Sequence, residues 1–179
     1  DEGNPSGDFI TGISNPIIVR PFAFDMFVDK NLATGDPEYK VNPAATSATG
    51  DIFTVAADEI RISTRAVAWK TGNDANANGL ADQGEDLTSN STTNNFIDVS
   101  LSNLTHTQLQ PSSIIDGTLN VESGAEFNTG IQVDKATYDE VGIISLNAEL
   151  NNYLSIVGAD IKGVTPYVGR FIPSHFTVT

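Results

Sequence analysis

Hydrophobic and polar residues alternate along several stretches of the chain, and the clearest alternation follows Gly142. Apolar residues occupy every second position there, with polar residues between them: Ile144, Leu146, Ala148 and Leu150. Successive side chains of a strand point to opposite faces of a sheet. This stretch therefore predicts an antiparallel strand with one face buried in a core.

A second alternating stretch covers residues 20–29 and predicts another strand. Its apolar positions, which would share one buried face, are Phe22, Phe24, Met26 and Val28. Phe27 interrupts the polar face of the same stretch. Shorter stretches with strand character are 60–69, 96–101, 117–121, 131–133, 153–157 and 170–178. About seven or eight strands at this spacing predict an all-β fold, an immunoglobulin-like antiparallel β-sandwich.

The division of the chain follows from where these strands lie. Residues 1–8 form a polar leader that we interpret as a linker, and residues 9–179 are predicted to form a single β-sandwich module. The last stretch, 168–179, either closes this module or leads into a following repeat. We expect the sequence to be cut from a longer chain, with any signal peptide or anchor outside it.

Composition narrows the classes of function. The chain has 23 acidic and 9 basic residues, a formal net charge of -14, and no cysteine. Nucleic acid and anionic bilayers would repel such a surface, whereas divalent cations are natural counterions. Disulfides, thiolate metal sites and a cysteine nucleophile are excluded, and no apolar run approaches the length of a membrane span.

One motif carries a metal-binding mechanism. Residues 74–85 fit the twelve-residue calcium loop pattern, in which alternate side chains on a coiled loop supply oxygen ligands. Gly79 stands at the sixth position, where the loop turns sharply. The predicted ligands, with Leu80 contributing its backbone carbonyl, are Asp74, Asn76, Asn78, Leu80, Asp82 and Glu85.

The surroundings of this motif differ from those of a true EF-hand. The flanking segments 60–70 and 87–95 lack helical character, and Ala81 replaces the usual apolar residue at the eighth position, which normally pairs two such loops. The sequence therefore predicts a solitary EF-hand-like loop that is inserted between strands and binds Ca²⁺. The alternative is a hydrated surface turn, which Asn, Asp and Gly also form in acidic proteins.

Other candidates carry less chemistry. His106 and His175 lack the spacing of a zinc site and are interpreted as surface or hydrogen-bonded residues. We favour a core position for the single Trp69 over a surface that stacks on sugar. Tyr138 either forms a corner like the tyrosine corner of immunoglobulin-like domains or packs in a plain turn. Because no catalytic motif is present, we do not expect an enzyme.

Three stretches in order resemble a known family. They are VRPFAFD at 19–25, YDEVGIISLNA at 138–148 and VGRFIPSHF at 168–176. They are similar to the C-terminal region of MshQ-like proteins, which are encoded with the mannose-sensitive haemagglutinin pilus, a type IV pilus system. The resemblance implies a large exported protein of a Gram-negative bacterium that acts in pilus biogenesis or adhesion, without an assigned enzyme activity. It transfers no functional residues.

These observations lead to one expected function and one alternative. We expect a calcium-stabilised structural and adhesive module of a large extracellular or pilus-associated surface protein. The alternative is a calcium-dependent carbohydrate-binding module of an adhesin, in which the ion and an aromatic residue contact a glycan. Expected partners are calcium, neighbouring domains of the same chain, and either pilus components or surface glycans, with no nucleic acid and no direct insertion into a membrane.

Overall fold

A computed structural model describes residues 17–81, 84–112, 116–122 and 124–175. These residues form two four-stranded sheets and a single 3₁₀ turn at Tyr153–Ser155. The strands, in chain order, are β1 (Ala23–Lys30), β2 (Thr54–Val55), β3 (Glu59–Val67), β4 (Asn103–Gln110), β5 (Leu119–Val121), β6 (Ile131–Tyr138), β7 (Gly142–Leu150) and β8 (Ile161–Ile172). The all-β prediction is confirmed.

The two sheets differ in their strand directions. The first sheet has the order β1-β3-β6-β5, and all of its pairs are antiparallel. The second sheet has the order β2-β8-β7-β4, in which the short β2 runs parallel to the end of β8. The sheets are therefore antiparallel apart from this one short parallel pair.

The two strongest alternations form strands, as predicted. β7 turns Ile144, Leu146 and Ala148 inward, and each of them is buried. β1 buries Phe24, Met26 and Val28 on one face and leaves Phe27 exposed on the other. These side chains meet in one hydrophobic core that contains buried residues from both sheets. The core holds the sheets together because it removes apolar surface from water.

Two predicted strands are wrong. Residues 96–101 have no strand structure, and residues 153–157 contain the 3₁₀ turn instead. Each segment contributes an aromatic ring to the core margin: Phe96 lies with its ring centroid 4.8 Å from that of Phe127 and 5.4 Å from that of Tyr153. Their apolar residues thus reflect packing of connecting segments, not strand pairing.

Two strands of the second sheet, β4 and β8, differ from the prediction. β4 was not predicted, because its eight residues, NLTHTQLQ, are mostly polar and half-exposed at a sheet edge. β8 begins at Ile161, well before the predicted start at residue 170, and its last described residues pair with β2. The predicted strand at 170–178 ends beyond residue 175, so its last part lies outside the described residues.

One close approach joins the two sheets. Gly163 of β8 lies directly against Phe24 of β1, so that a Cβ atom placed on Gly163 would stand 2.2 Å from the carbonyl oxygen of Phe24. Nearby, the Thr165 hydroxyl donates to the carbonyl oxygen of Met26 at 3.4 Å. Glycine is therefore required where β8 passes the edge strand β1.

The described residues contain no helix that is both long and apolar enough to cross a membrane.

Candidate metal centre

The predicted calcium loop belongs to an insertion that lies between the end of β3 and Thr92. Val67, the last residue of β3, forms an isolated bridge with Thr92, and the Ala68 N–H donates to the Ser91 carbonyl oxygen at 2.8 Å. The Asn90 side-chain amide donates to the Ala68 carbonyl oxygen at 2.9 Å. The two ends of the insertion are thus tied together.

Inside the insertion, side-chain oxygens of the first half of the motif accept hydrogen bonds from its backbone. Asp74 accepts through Oδ1 from the Asn78 N–H at 3.0 Å and through Oδ2 from the Gly79 N–H at 2.9 Å. Asn76 Oδ1 accepts from the Asn78 N–H at 3.1 Å, and Asn78 Oδ1 from the Leu80 N–H at 2.8 Å. The chain therefore coils around the oxygens at the first, third and fifth positions.

Gly79 makes the turn that the motif requires at its sixth position. Its φ is +79°, a left-handed conformation that glycine adopts without steric cost. The Arg20 guanidinium donates through Nη2 to the Gly79 carbonyl oxygen at 2.9 Å and through Nη1 to the Pro21 carbonyl oxygen at 3.1 Å. Arg20 thus connects the apex of the loop to the segment that leads into β1.

The last position of the motif is held by a residue just before the first. The buried Asn73 donates through Nδ2 to Glu85 Oε2 at 3.1 Å, so position twelve is held against the residue that precedes position one. Asn73 Oδ1 is buried and has no hydrogen-bond partner among the described residues. A buried carbonyl oxygen without a partner is costly, and this one lies beside the closing carboxylate of the motif.

A small apolar cluster supports the loop from below. Leu87 is buried against Phe22, Ala23 and Val67, and the half-buried Ala81 packs on the same cluster. Ala81 occupies the eighth position, where paired loops carry a larger apolar residue. Its small side chain contacts the sandwich, which fits a loop that acts alone.

Beyond Leu87 the insertion is fixed by charged groups. The Arg65 guanidinium donates to the carbonyl oxygens of Leu87 at 3.1 Å and Thr88 at 2.9 Å, and it pairs with Asp25 at 2.7 Å. Hydrogen bonds from the hydroxyl and N–H of Thr88 lower the pKa of Asp86. The contacts of Arg65 keep the exit of the loop close to the first sheet.

The arrangement offers oxygen donors, which suit a hard cation such as calcium. Asp82 lies outside the described residues, so among the predicted ligands the described carboxylates are Asp74 and Glu85. No group of three or more His, Cys, Asp or Glu residues in the described part of the chain could hold a metal ion. Amide and main-chain oxygens would therefore supply most of the ligands, and calcium binding stays a prediction.

Two positioning residues escaped the sequence analysis. Asn73 precedes the motif, and Arg20 lies far from it in the chain. Nothing in the loop pattern points to Arg20, because its contact with Gly79 depends on the fold. Asn73 is adjacent to position one, but an Asn before an Asp is also a common turn residue.

The interpretation of Trp69 as a core residue is wrong. Trp69 is 57% exposed and lies in the insertion, shortly before Asp74. It lies two residues beyond Val67, the last residue of β3. Trp69 lies on the same insertion as the candidate metal loop. Large exposed aromatic residues occur on ligand-binding surfaces as well as on surfaces with a structural role.

The remaining candidates have structural partners. His106 Nε2 lies 3.1 Å from Asp116 Oδ1, and its ring packs on the ring of Tyr138. Tyr138 is fully buried, its hydroxyl accepts from the Gly117 N–H at 3.3 Å, and burial raises its pKa. Tyr138 therefore ties the end of β6 to the segment that precedes β5.

Two family models match the chain. The model described as DUF6701, second domain, matches residues 20–139, and the model described as DUF6701, third domain, matches residues 140–179. The boundary falls between β6 and β7, yet β7 and β8 lie in one sheet with β2 and β4. Strands from both matched segments thus build the second sheet. Searches among curated proteins and among solved structures found no match.

Proposed function

Because the chain belongs to the DUF6701 family, whose second-domain model covers most of it, we propose a non-enzymatic role for this β-rich chain. It acts as a calcium-stabilised structural and adhesive module of a large extracellular or pilus-associated surface protein. The ion serves as a clip: it fixes the insertion at 68–91 relative to the sandwich and so fixes the surface that the insertion presents.

The coiled backbone of the loop is the observation that carries this proposal. The oxygens of Asp74, Asn76 and Asn78 accept hydrogen bonds from backbone N–H groups of residues 78–80, and Gly79 turns at the required position. Ordering these side chains without an ion costs conformational entropy, and calcium would offset that cost by coordinating the same oxygens. The unpartnered Oδ1 of Asn73 gives further support, because a bound ion and its waters would provide polar partners close to it.

The structural character of the proposed ion follows from its surroundings. Arg20 connects the loop to the segment before β1, and Leu87 connects it to the apolar cluster with Phe22 and Val67. Helices that could reorient on binding, as in a calcium sensor, do not flank the described part of the loop. An ion at this place stabilises one arrangement and does not switch between two.

The surface and pilus assignment rests on the resemblance of 19–25, 138–148 and 168–176 to MshQ-like proteins. The net charge of -14 disfavours anionic bilayers and nucleic acid as partners, because both would repel an acidic module. Neighbouring domains of the same chain and pilus components are the proposed partners, and the proposed location is extracellular.

Thermal unfolding in chelator and in millimolar calcium tests the proposal. Calcium should raise the melting temperature of the unmodified chain and should bind with a dissociation constant on the order of 10⁻⁵ to 10⁻³ M. If the free ion exceeds that constant about 100-fold, the gain is about 2.7 kcal/mol. An unchanged transition combined with no heat of binding would disprove the structural role of calcium.

Glu85→Gln provides the matched variant. The amide keeps the size of the side chain and can still accept from Asn73, but it removes the closing carboxylate. Its melting temperature should therefore stay close to that of the unmodified chain in chelator and should no longer respond to calcium. Glu126→Gln, at an exposed glutamate outside the loop, is the control and should keep the full response.

The exposure of Trp69 favours a second candidate, the calcium-dependent carbohydrate-binding module. An exposed indole stacks on sugar rings, and Trp69 lies on the same insertion as the candidate ion site. A glycan array probed in calcium and in chelator tests it. Retention that needs calcium and is lost in Trp69→Ala would support glycan binding, whereas equal results for both proteins would argue against it.

A further inference from the structure

A cavity opens between the two sheets, and none of its lining residues belongs to the metal loop. It has a volume of about 190 Å³ and lies between β6, the end of β5 and the segment 100–104, which includes the first two residues of β4. Its mouth is formed by exposed polar residues, among them Ser102 and Asn103. The cavity therefore connects solvent with the interior of the sandwich.

Two buried polar side chains of β6, Gln132 and Asp134, line this cavity. Each is only 4% exposed. Gln132 Nε2 donates to both carboxyl oxygens of Asp134, at 3.1 and 3.0 Å, and Gln132 Oε1 accepts from the Leu101 N–H at 3.1 Å. The last contact fixes which end of the amide faces the carboxyl group. Asp134 is thus held in place by a side chain that is itself anchored to the backbone.

β6 buries these two polar side chains and leaves apolar side chains exposed. Ile131 and Val133 point outward and are 40% and 48% exposed, while their polar neighbours point inward. A shift of register by one residue would reverse the faces, but the pairs Val133 with Ser63 and Ile131 with Arg65 fix the register. Violations of the binary pattern are expected where a site requires them.

The cavity leaves the carboxyl group without a positive partner. Apart from Asp134, the charged residue among the described lining residues is Glu122, which has the same sign. Burial raises the pKa of Asp134, although the hydrogen bonds from Gln132 oppose the shift. A buried carboxylate is stabilised most directly by a cation that enters the cavity and contacts it.

We infer that this cavity binds a primary alkylammonium group, with the ammonium on the carboxylate of Asp134. The walls include Leu101, Leu104, Val121 and Ala125, which suit a methylene chain, and the charged end meets the only inward carboxylate of β6. Lysine side chains bind in this manner, with the stem along apolar surface and the head on a polar group. The group is supplied either by a free alkylamine or by a lysine of a bound polypeptide.

Nuclear magnetic resonance of the labelled chain at neutral pH provides the test, with n-pentylamine as the probe. The Leu101 amide and the Gln132 side-chain amide should shift saturably, because both are bonded within the cluster. Neutral n-pentanol, which has the same apolar chain, should shift them much less. Equal responses to amine and alcohol would overturn the inference, since the cavity would then recognise only apolar chains.

Variants separate the charge from the cavity. Asp134→Asn keeps the size of the side chain and should weaken amine binding about tenfold or more, because it removes a charge-assisted contact. Asp51→Asn, at an exposed aspartate elsewhere, should bind as the unmodified chain does. Undiminished binding by Asp134→Asn would overturn the assignment.

A measurement without substitution covers the case in which Asp134→Asn does not fold. The carboxyl resonance of Asp134 in the unmodified chain is followed against pH, with and without n-pentylamine. Bound ammonium should lower the pKa of Asp134, because it stabilises the ionised form. A pKa that stays the same at saturating amine would contradict the inference.

The source of the ammonium is resolved by two further probes. Nα-acetyl-lysine amide presents the group as a polypeptide does, and Nα,Nε-diacetyl-lysine amide lacks the charge. Binding of the first and not of the second supports a lysine of a polypeptide, whereas binding of n-pentylamine alone supports a free amine. All measurements are repeated in chelator, where binding should persist because the cavity is separate from the metal loop.

Discussion

β6 and β7 follow one another in the chain and lie in opposite sheets, but they direct their polar side chains to opposite sides of the sheet. β7 turns Ile144 and Leu146 into the core and polar residues outward. The first half of β6 turns Gln132 and Asp134 inward and leaves apolar residues outside. The difference separates two tasks of a sheet: β7 provides burial that holds the sandwich together, and β6 gives up part of that burial to place a carboxyl group between the sheets.

Leu146→Ala should have the largest effect on stability. Leu146 is fully buried, and its truncation removes apolar contacts and leaves a cavity, at a cost of about 2 to 5 kcal/mol. Urea denaturation measures the free energy of unfolding. If the loss is below about 1 kcal/mol, the core at β7 rearranges easily and the contrast between the strands fails.

Gln132→Leu should rank second. The substitution removes the donor that bonds to both oxygens of Asp134 and leaves the Leu101 N–H without its acceptor, so a loss of about 1 to 3 kcal/mol is expected at neutral pH. The same denaturation measurement applies. A more stable variant would mean that the polar pair is a structural liability whose replacement by apolar packing is favourable.

Asp134→Asn should change the pH dependence of stability. Burial raises the pKa of Asp134 above 3.8, so the native state binds more protons than the unfolded state between that value and the raised pKa. The carboxyl group therefore lowers stability as the pH rises through this window. The asparagine variant should gain stability relative to the unmodified chain as the pH rises, and below about pH 3.8 the difference between the two proteins should no longer change with pH.

Unfolding of both proteins across pH 3 to 7 checks this expectation. The other charged residue at the cavity, Glu122, is exposed and is the same in both proteins. A difference that does not depend on pH would show that the carboxyl group is not held in an unfavourable environment.

Val133→Thr should have the smallest effect. Val133 points outward from the first half of β6, and threonine keeps the branched side chain that suits a strand. The change in unfolding free energy should stay within about 0.5 kcal/mol. A loss close to that of Leu146→Ala would place Val133 in an interior and would remove the difference between the two strands.

The parts of the fold that the sequence predicts are those where one face is apolar. Leu146 and Phe24 belong to alternations that indicate a strand with one buried face, and both residues are buried. β4 and the start of β8 follow no such pattern. Gly163 lies near the start of β8 and interrupts any alternation there. Glycine is required at this position because Phe24 approaches it closely. Strand pairing at these places is decided by neighbours that are distant in sequence.

The site shows the same division between local and tertiary information. Spacing alone predicts that Asp74 and Gly79 coil into a loop, because those contacts span a few residues. The exposure of Trp69 depends on where β3 ends, and the contact of Arg20 with Gly79 depends on where β1 begins. The inward position of Asp134 follows from the register with β3, and alternation in the chain by itself favours the opposite face.

The pairing of β2 with β8 has a consequence for the order in which the molecule forms. Thr54 pairs with Phe171, so β2, which lies early in the chain, forms its pair only when β8, the last described strand, is present. Contacts between distant parts of a chain form slowly, because a long loop must close first. The first sheet can assemble from residues up to Tyr138, but the second cannot close until β8 has emerged. The second sheet is therefore incomplete until β8 is present, and until then the core between the sheets lacks the side chains that β8 buries, among them Ile161, Val168 and Phe171.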